Sequence, residues 1–182
     1  MVALHAFCDA DWAGNPDDRR SSTGYGIFIG QCLVSWSSKK QPIVSRSSTE
    51  AEYRGLALTT ADVYWIRMLL RELHISLSSP LTLWCDNLSA ISLASNPIFH
   101  ARTEHIEIDY YFIREKVVNK DIVVRFINTR NQVADIFTKG HTADRFRALC
   151  DKLLVCSLPN NLREGVKDDK DINPYLPTNQ DT

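Results

Sequence analysis

The sequence predicts an α/β fold, and three features carry that prediction. Leu4–Gly14 is a short apolar strand that ends in acid (Asp9, Asp11) and breaks at a glycine. Two further strand-like segments, Tyr25–Gly30 and Cys32–Trp36, follow closely enough to form a hairpin. A long run from Ser47 to Leu73 then switches to helical period, and strand–helix alternation continues to about residue 155.

Taken in order, the opening strand would bury its sides and present its last residues at a sheet edge, where ligands bind in open α/β sheets. Asp9 is there either as a turn former or as one leg of a metal site. Asn15–Gly24 is polar and reads as a loop. Gly30-Gln31 is the expected hairpin turn, Ser37–Pro42 a second polar break, and Ile43–Ser45 another short strand. The strands before the helix suggest an antiparallel meander.

Ser47, Ser48 and Thr49 are N-cap candidates for the long helix, and Ser47…Glu50 and Thr49…Glu52 both have capping-box spacing. Glu52, Leu56, Thr59, Val63, Ile66, Leu70 and Leu73 form one stripe at helical period, which faces the core. Glu52 is therefore aimed inward, which is costly unless something neutralises it. Glu50 falls on an exposed face beside Arg54. Leu81–Asn87 is a second apolar strand ending in acid, and Leu88–Ser95 is a short helix capped by Asp86 or Asn87. Arg102–Asn119 reads as a helix, Asp121–Ile127 as a strand, Val133–Thr138 as the start of a helix bearing Asp135, and Ala143–Val155 as a last helix.

Length and composition fit one domain over residues 1–156 and a tail over 157–182. That tail is polar and proline-bearing, with three basic and five acidic side chains, and reads as disordered. The longest apolar runs are a few residues, so no membrane span is expected. No secretory signal is visible at the amino terminus. Five cysteines without a Cys-x-x-Cys pair disfavour zinc or a disulfide framework and point to an intracellular, cytoplasmic or nuclear protein that is not secreted. The formal charge of −1 confines any nucleic-acid surface to a local patch. The five histidines have no metal-ligand spacing.

Asp9, Glu52, Asp86 and Asp135 each end a strand or begin a helix. Four carboxylates at one sheet edge repel unless divalent cations lie between them. Oxygen-only ligands select hard ions, Mg²⁺ or Mn²⁺. Two such ions roughly 4 Å apart can activate water and stabilise the leaving oxygen of a phosphodiester. Neither a Gly-x-Ser-x-Gly motif nor a glycine-rich phosphate loop competes.

An ordered set of motifs extends this over residues 5–150: Asp9–Gly14, Asp18–Tyr25, Val34–Pro42, Ser45–Tyr53, Cys85-Asp86-Asn87, Arg102–Asp109 with Phe112–Glu115, and Ala134–Lys139. Through them the chain resembles the ribonuclease H domain of copia-type long-terminal-repeat retrotransposon polyproteins, especially those of plants. The resemblance implies a ribonuclease H-like fold, a five-stranded mixed sheet flanked by helices. It implies endonucleolytic cutting of the RNA strand of an RNA–DNA hybrid, with Asp9, Glu52, Asp86 and Asp135 holding two Mg²⁺ ions. Period-2 alternation puts Asp11 on the same face as Asp9, as an understudy to it. Many cellular ribonucleases H carry a histidine in a mobile loop before the last acid, and no histidine lies between Phe126 and Asp135.

The resemblance also implies a reverse transcriptase ahead of this domain, which this chain lacks. Because Met1 opens almost directly on the first strand, a truncated frame or genomic remnant is the corresponding expectation. The alternative function is a catalytically weak or inactive hybrid-binding remnant. An integrase-like nuclease is disfavoured by the acid order Asp, Glu, Asp, Asp. Arg19, Arg20, Lys39, Lys40 and Arg46 are candidate phosphate contacts or ordinary solvated loop residues.

Overall fold

A computed structural model describes residues 2–95 and 106–155. Its sheet has five strands: β1 (Val2–Asp11), β2 (Ser22–Ile29), β3 (Cys32–Lys40), β4 (Leu77–Cys85) and β5 (Ile122–Phe126). Their spatial order is β3-β2-β1-β4-β5. The first three strands form an antiparallel meander, and β4 and β5 add in parallel to β1, so the sheet is mixed. Four α-helices accompany it among the described residues: α1 (Ser48–Glu72), α2 (Leu88–Ser95), α3 (Glu107–Val118) and α4 (Ala143–Lys152).

Alternation along β1 divides the two faces. Leu4, Ala6 and Cys8 join Tyr53, Leu56, Val63 and Ile66 of α1 in the main core. His5 and Phe7 point the other way, where Phe7 meets the Phe28 and Trp84 rings at 5.5 and 6.2 Å. That second face carries a smaller cluster around Phe28, Val133 and Leu153. The helical stripe predicted for α1 is buried from Glu52 through Leu70, while Leu73 is the exposed C-cap. Ser47 is the N-cap, its hydroxyl accepting from the Glu50 amide at 3.1 Å.

Several boundaries differ from those expected. Ser37–Lys40 is strand, not a break, and Ser22–Gly24 is strand, not loop. The two pair backbone to backbone, Ser22 with Lys40 and Gly24 with Ser38. Serines and lysines suit an exposed edge strand, which masks the pairing in a hydrophobicity pattern. Ile43–Ser45 is no strand: it has no sheet partner, and Ile43 and Val44 are exposed. β4 starts at Leu77, inside the expected loop Ser76–Pro80. Asp135 sits in a 3₁₀ turn, Val133–Phe137, instead of an α-helix. The expected start of a helix at Arg102, together with His105, lies outside the described residues, as does the expected tail 157–182.

Gln41 locks α1 onto the meander. Its side-chain amide donates to Thr23 Oγ1 at 3.0 Å and to the Ala51 carbonyl at 2.9 Å, and its Oε1 accepts from Ser45 Oγ at 2.8 Å. Gly24 sets the opposite face. A Cβ there would lie 2.6 Å from Thr138 Cγ2 and 2.7 Å from Phe137 Cβ, so only glycine lets the Asp135 turn approach β2 this closely. Gly24→Ala is expected to destabilise the protein by about 1–3 kcal/mol through overpacking. Urea denaturation checks this, and a midpoint equal to wild type would show that the turn is not seated on β2.

Candidate metal centre

Parallel pairing of β1 and β4 brings two acid-bearing strand ends to one edge. The register pairs Phe7 with Trp84, and two residues further on in each segment stand Asp9 and Asp86, whose carboxylates come within 4.8 Å of each other. Asp86 is not used as a cap, because Asn87 Oδ1 accepts from the Ala90 amide at 3.0 Å and starts α2 in its place. The Asp86 carboxylate is thus left to face Asp9, and its Oδ2 accepts from Thr129 Oγ1 at 3.0 Å.

Asp135 reaches the same edge by a different route. Gln132, fully buried, donates from Nε2 to the Cys8 carbonyl at 2.8 Å, and its Oε1 accepts from the Ala134 amide at 3.3 Å. This clamp fastens the 3₁₀ turn to β1 next to Asp9. One oxygen each from Asp9, Asp86 and Asp135 then lies within 4.8 Å of the others.

Glu52 enters from the first turns of α1. Its Oε1 accepts from the Ala10 amide at 3.3 Å, and Oε2 lies 3.9 Å from Cys85 Sγ. Glu52, Cys85 and Asp86 make a second group within 4.8 Å. The four acids singled out from the sequence therefore converge as two overlapping groups that share Asp86. Asp11 belongs to neither: its carboxylate folds back over Gly14, although it is on the Asp9 side of the strand. Glu50 is structural, accepting from the Arg46 amide at 2.9 Å and pairing with Arg54 at 3.0 Å.

Residues outside that acid set complete the site. Lys139 Nζ lies 2.9 Å from Asp9 Oδ1 and 2.7 Å from Asp135 Oδ1. Thr138 donates its hydroxyl to Asp9. Arg145 pairs with Asp135 Oδ2 at 3.3 Å and also donates to the Thr129 and Arg130 carbonyls, joining the turn that supports Asp86 to Asp135. His141 Nε2 is 2.9 Å from the Asp135 carbonyl oxygen. The signal for Lys139 was its i,i+4 spacing from Asp135 within Ala134–Lys139; Gln132, in a polar turn, gave none.

The five basic candidates divide. Arg20 and Lys40 both pair with Asp18, at 2.7 and 3.1 Å. Arg19, Lys39 and Arg46 are exposed. The ladder Asp11–Ser22–Lys40 puts Lys39 and Lys40 at the same sheet edge as the acids.

Burial dominates the electrostatics. The Glu52 carboxyl is pushed up to about 10, first by burial and then by Cys85, Asp9 and Asp86, against a small opposing effect of the Ala10 amide. Asp9 is also raised, by burial first and by Asp135, while Thr138 and Lys139 oppose the shift. The four carboxylates offer hard oxygen donors, with the Cys85 thiol beside Glu52, and fit hard divalent cations, which would relieve this repulsion.

No family model matches the chain. It is 46% identical over 158 residues, 87% of its length, to a retrovirus-related Pol polyprotein from transposon RE1 of Arabidopsis thaliana. It is 39% identical over 151 residues, 83% of its length, to the corresponding polyprotein from transposon TNT 1-94 of Nicotiana tabacum. In each case the match spans 11% of the relative. Among solved structures, LC11-RNase H1 from compost superposes with a TM-score of 0.56 at 16% identity, over 85% of this chain and 99% of that one. The ribonuclease H domain of Mycobacterium tuberculosis Rv2228c gives 0.55 at 15% identity, over 83% and 98%. The chain is a relative of plant retrotransposon Pol polyproteins and has the ribonuclease H fold.

Within this retrotransposon ribonuclease H fold, the Glu52 shift has a definite sign. Between the ordinary value of 4.5 and about 10, the folded state holds a proton that the unfolded state has lost. Stability of the metal-free protein therefore falls as pH rises through that window, by up to about 1.4 kcal/mol per pH unit from this group. Glu52→Gln in EDTA is expected to flatten the decline between pH 5.5 and 9. Denaturant titrations at several pH values check it; equal slopes for variant and wild type would contradict it.

Proposed function

We propose that the chain is a divalent-metal-dependent endonuclease that cleaves the RNA strand of RNA–DNA hybrids, as the ribonuclease H segment of a copia-type retrotransposon polyprotein. The observation that carries this is the convergence of Asp9, Glu52, Asp86 and Asp135 at the edge where β1 and β4 end. These four residues would hold two Mg²⁺ ions, or Mn²⁺ in their place. When bound, such a pair polarises water and neutralises charge developing on a phosphodiester.

This chain's own residues supply the rest. Asp86 is common to both acid groups, and Thr129 and Arg145 orient the Asp86 and Asp135 carboxylates. Lys39 and Lys40 lie at the same sheet edge as the acids and, with Arg19, Arg20 and Arg46, would supply phosphate contacts along a duplex. A hybrid would be read through backbone shape and 2′-hydroxyls, with little sequence preference. LC11-RNase H1 has been crystallised with an RNA/DNA hybrid, at a TM-score of 0.54 to this chain and 12% identity. The catalytic unit ends near residue 156, and a reverse transcriptase segment of the polyprotein is the natural companion. Among the described residues no helix is long and apolar enough to cross a membrane.

Labelled RNA–DNA hybrid incubated with the protein and Mg²⁺ is expected to be cut in the RNA strand, and EDTA to abolish cutting. Asp86→Asn should slow it by about 100-fold or more, the scale on which loss of a charge-stabilising group lowers kcat. Hybrid that is bound but never cut by folded wild type would favour a binding remnant instead. Lys39→Ala is expected to weaken hybrid binding in EDTA for all sequences alike and to lower the salt slope by about one. An unchanged slope would remove Lys39 from the interface.

A further inference from the structure

The Lys139 ammonium bridges two of the buried acids of the cluster. Nζ is within 2.9 Å of both Asp9 Oδ1 and Asp135 Oδ1, and those two residues are only 1% and 3% exposed. Their other oxygens are engaged separately, Asp9 Oδ2 by Thr138 and Asp135 Oδ2 by Arg145. The lysine is built into place: its amide donates to the Asp135 carbonyl at 3.0 Å, beside that of Thr138 at 3.1 Å, which closes the turn and sends the side chain back over Asp135. At 36% side-chain exposure it also has an open path out.

An ammonium and a divalent ion cannot occupy the same position between these oxygens. Mg²⁺ needs oxygens at roughly 2.0–2.1 Å in near-octahedral array. We infer that Lys139 is a resident counter-cation, holding Asp9 and Asp135 together in the metal-free protein and leaving that position when a divalent ion enters. The inference rests on the metal-centre reading above. It makes ion uptake an exchange of one cation for another, so Lys139 lowers the apparent metal affinity while letting the acid cluster form before any ion arrives.

Calorimetric titration of the full chain with Mg²⁺ and with Mn²⁺, in the absence of nucleic acid, tests it. Lys139→Gln is expected to bind the first ion at least about tenfold more tightly than wild type, since the competitor is gone. Its melting temperature should be lower in EDTA and should rise further on adding metal. Lys116→Gln, on α3, controls for net charge and should leave affinity unchanged. Equal or weaker binding by Lys139→Gln would overturn the inference, as would an equal gain from Lys116→Gln.

Should the variant fail to fold without metal, wild type decides the matter alone. Amine acetylation read by mass spectrometry should increase at Lys139 when Mg²⁺ is added; unchanged labelling overturns the exchange. Absence of any metal binding would remove this inference and the ribonuclease proposal together. Metal-driven exposure of Lys139 without hybrid cleavage would leave the exchange standing and remove only the ribonuclease proposal.

Discussion

Buried like charge at one sheet edge is the constraint around which this molecule is arranged. Parallel pairing of β1 with β4 forces Asp9 and Asp86 towards each other, because both strands end at the same edge. Adding Asp135 raises the repulsion, Glu52 answers it by keeping its proton, and burial removes the water that would screen the charges. A fold with such a site needs compensation within the chain, and the structure contains two separate forms of it.

Fastening the acid-bearing elements to the sheet falls to neutral groups. Gln132 fastens the Asp135 turn to the Cys8 carbonyl, and Gln41 fastens the start of α1, with Glu52, to β2. Both amides are buried and fully used, so each holds its element without adding charge. Gly24 contributes by having no side chain, which lets Phe137 and Thr138 settle against β2 opposite Asp9. The positions flanking the acids are thus as constrained as the acids themselves.

Much of this was legible in the sequence because period and polarity agree there. The α1 stripe from Glu52 to Leu70, the strand that carries Asp9 and the strand that leads into Asp86 announce their faces through alternation. Ser37–Lys40 did not, because an edge strand earns its place through backbone pairing while its side chains stay polar. Ile43-Val44 misled in the other direction, having strand-like composition but no neighbouring strand to pair with. The cap of α2 was open between Asp86 and Asn87; Asn87 takes it, and only a structure shows that this leaves Asp86 for the cluster. Arg145 and Gln132, and Lys139 in its contact with Asp9, act across 10 to 130 positions, where local pattern carries no information; only the Lys139–Asp135 pair has a local spacing.

The two halves of the acid cluster are neutralised by different means, and the difference has a consequence. Asp9 and Asp135 are paired with a fixed ammonium, whereas Glu52, facing Cys85 and the Ala10 amide, has no cation beside it among the described residues and keeps its proton far above the usual carboxylate range. An ion taken up between Asp9 and Asp135 would displace one cation by another, with little change in proton content. An ion drawing on Glu52 and Asp86 would displace a proton. Under the metal-centre proposal Lys139 bears on the first half and the protonated Glu52 on the second, although both halves include Asp86. Each half thus has its own charge balance within the chain.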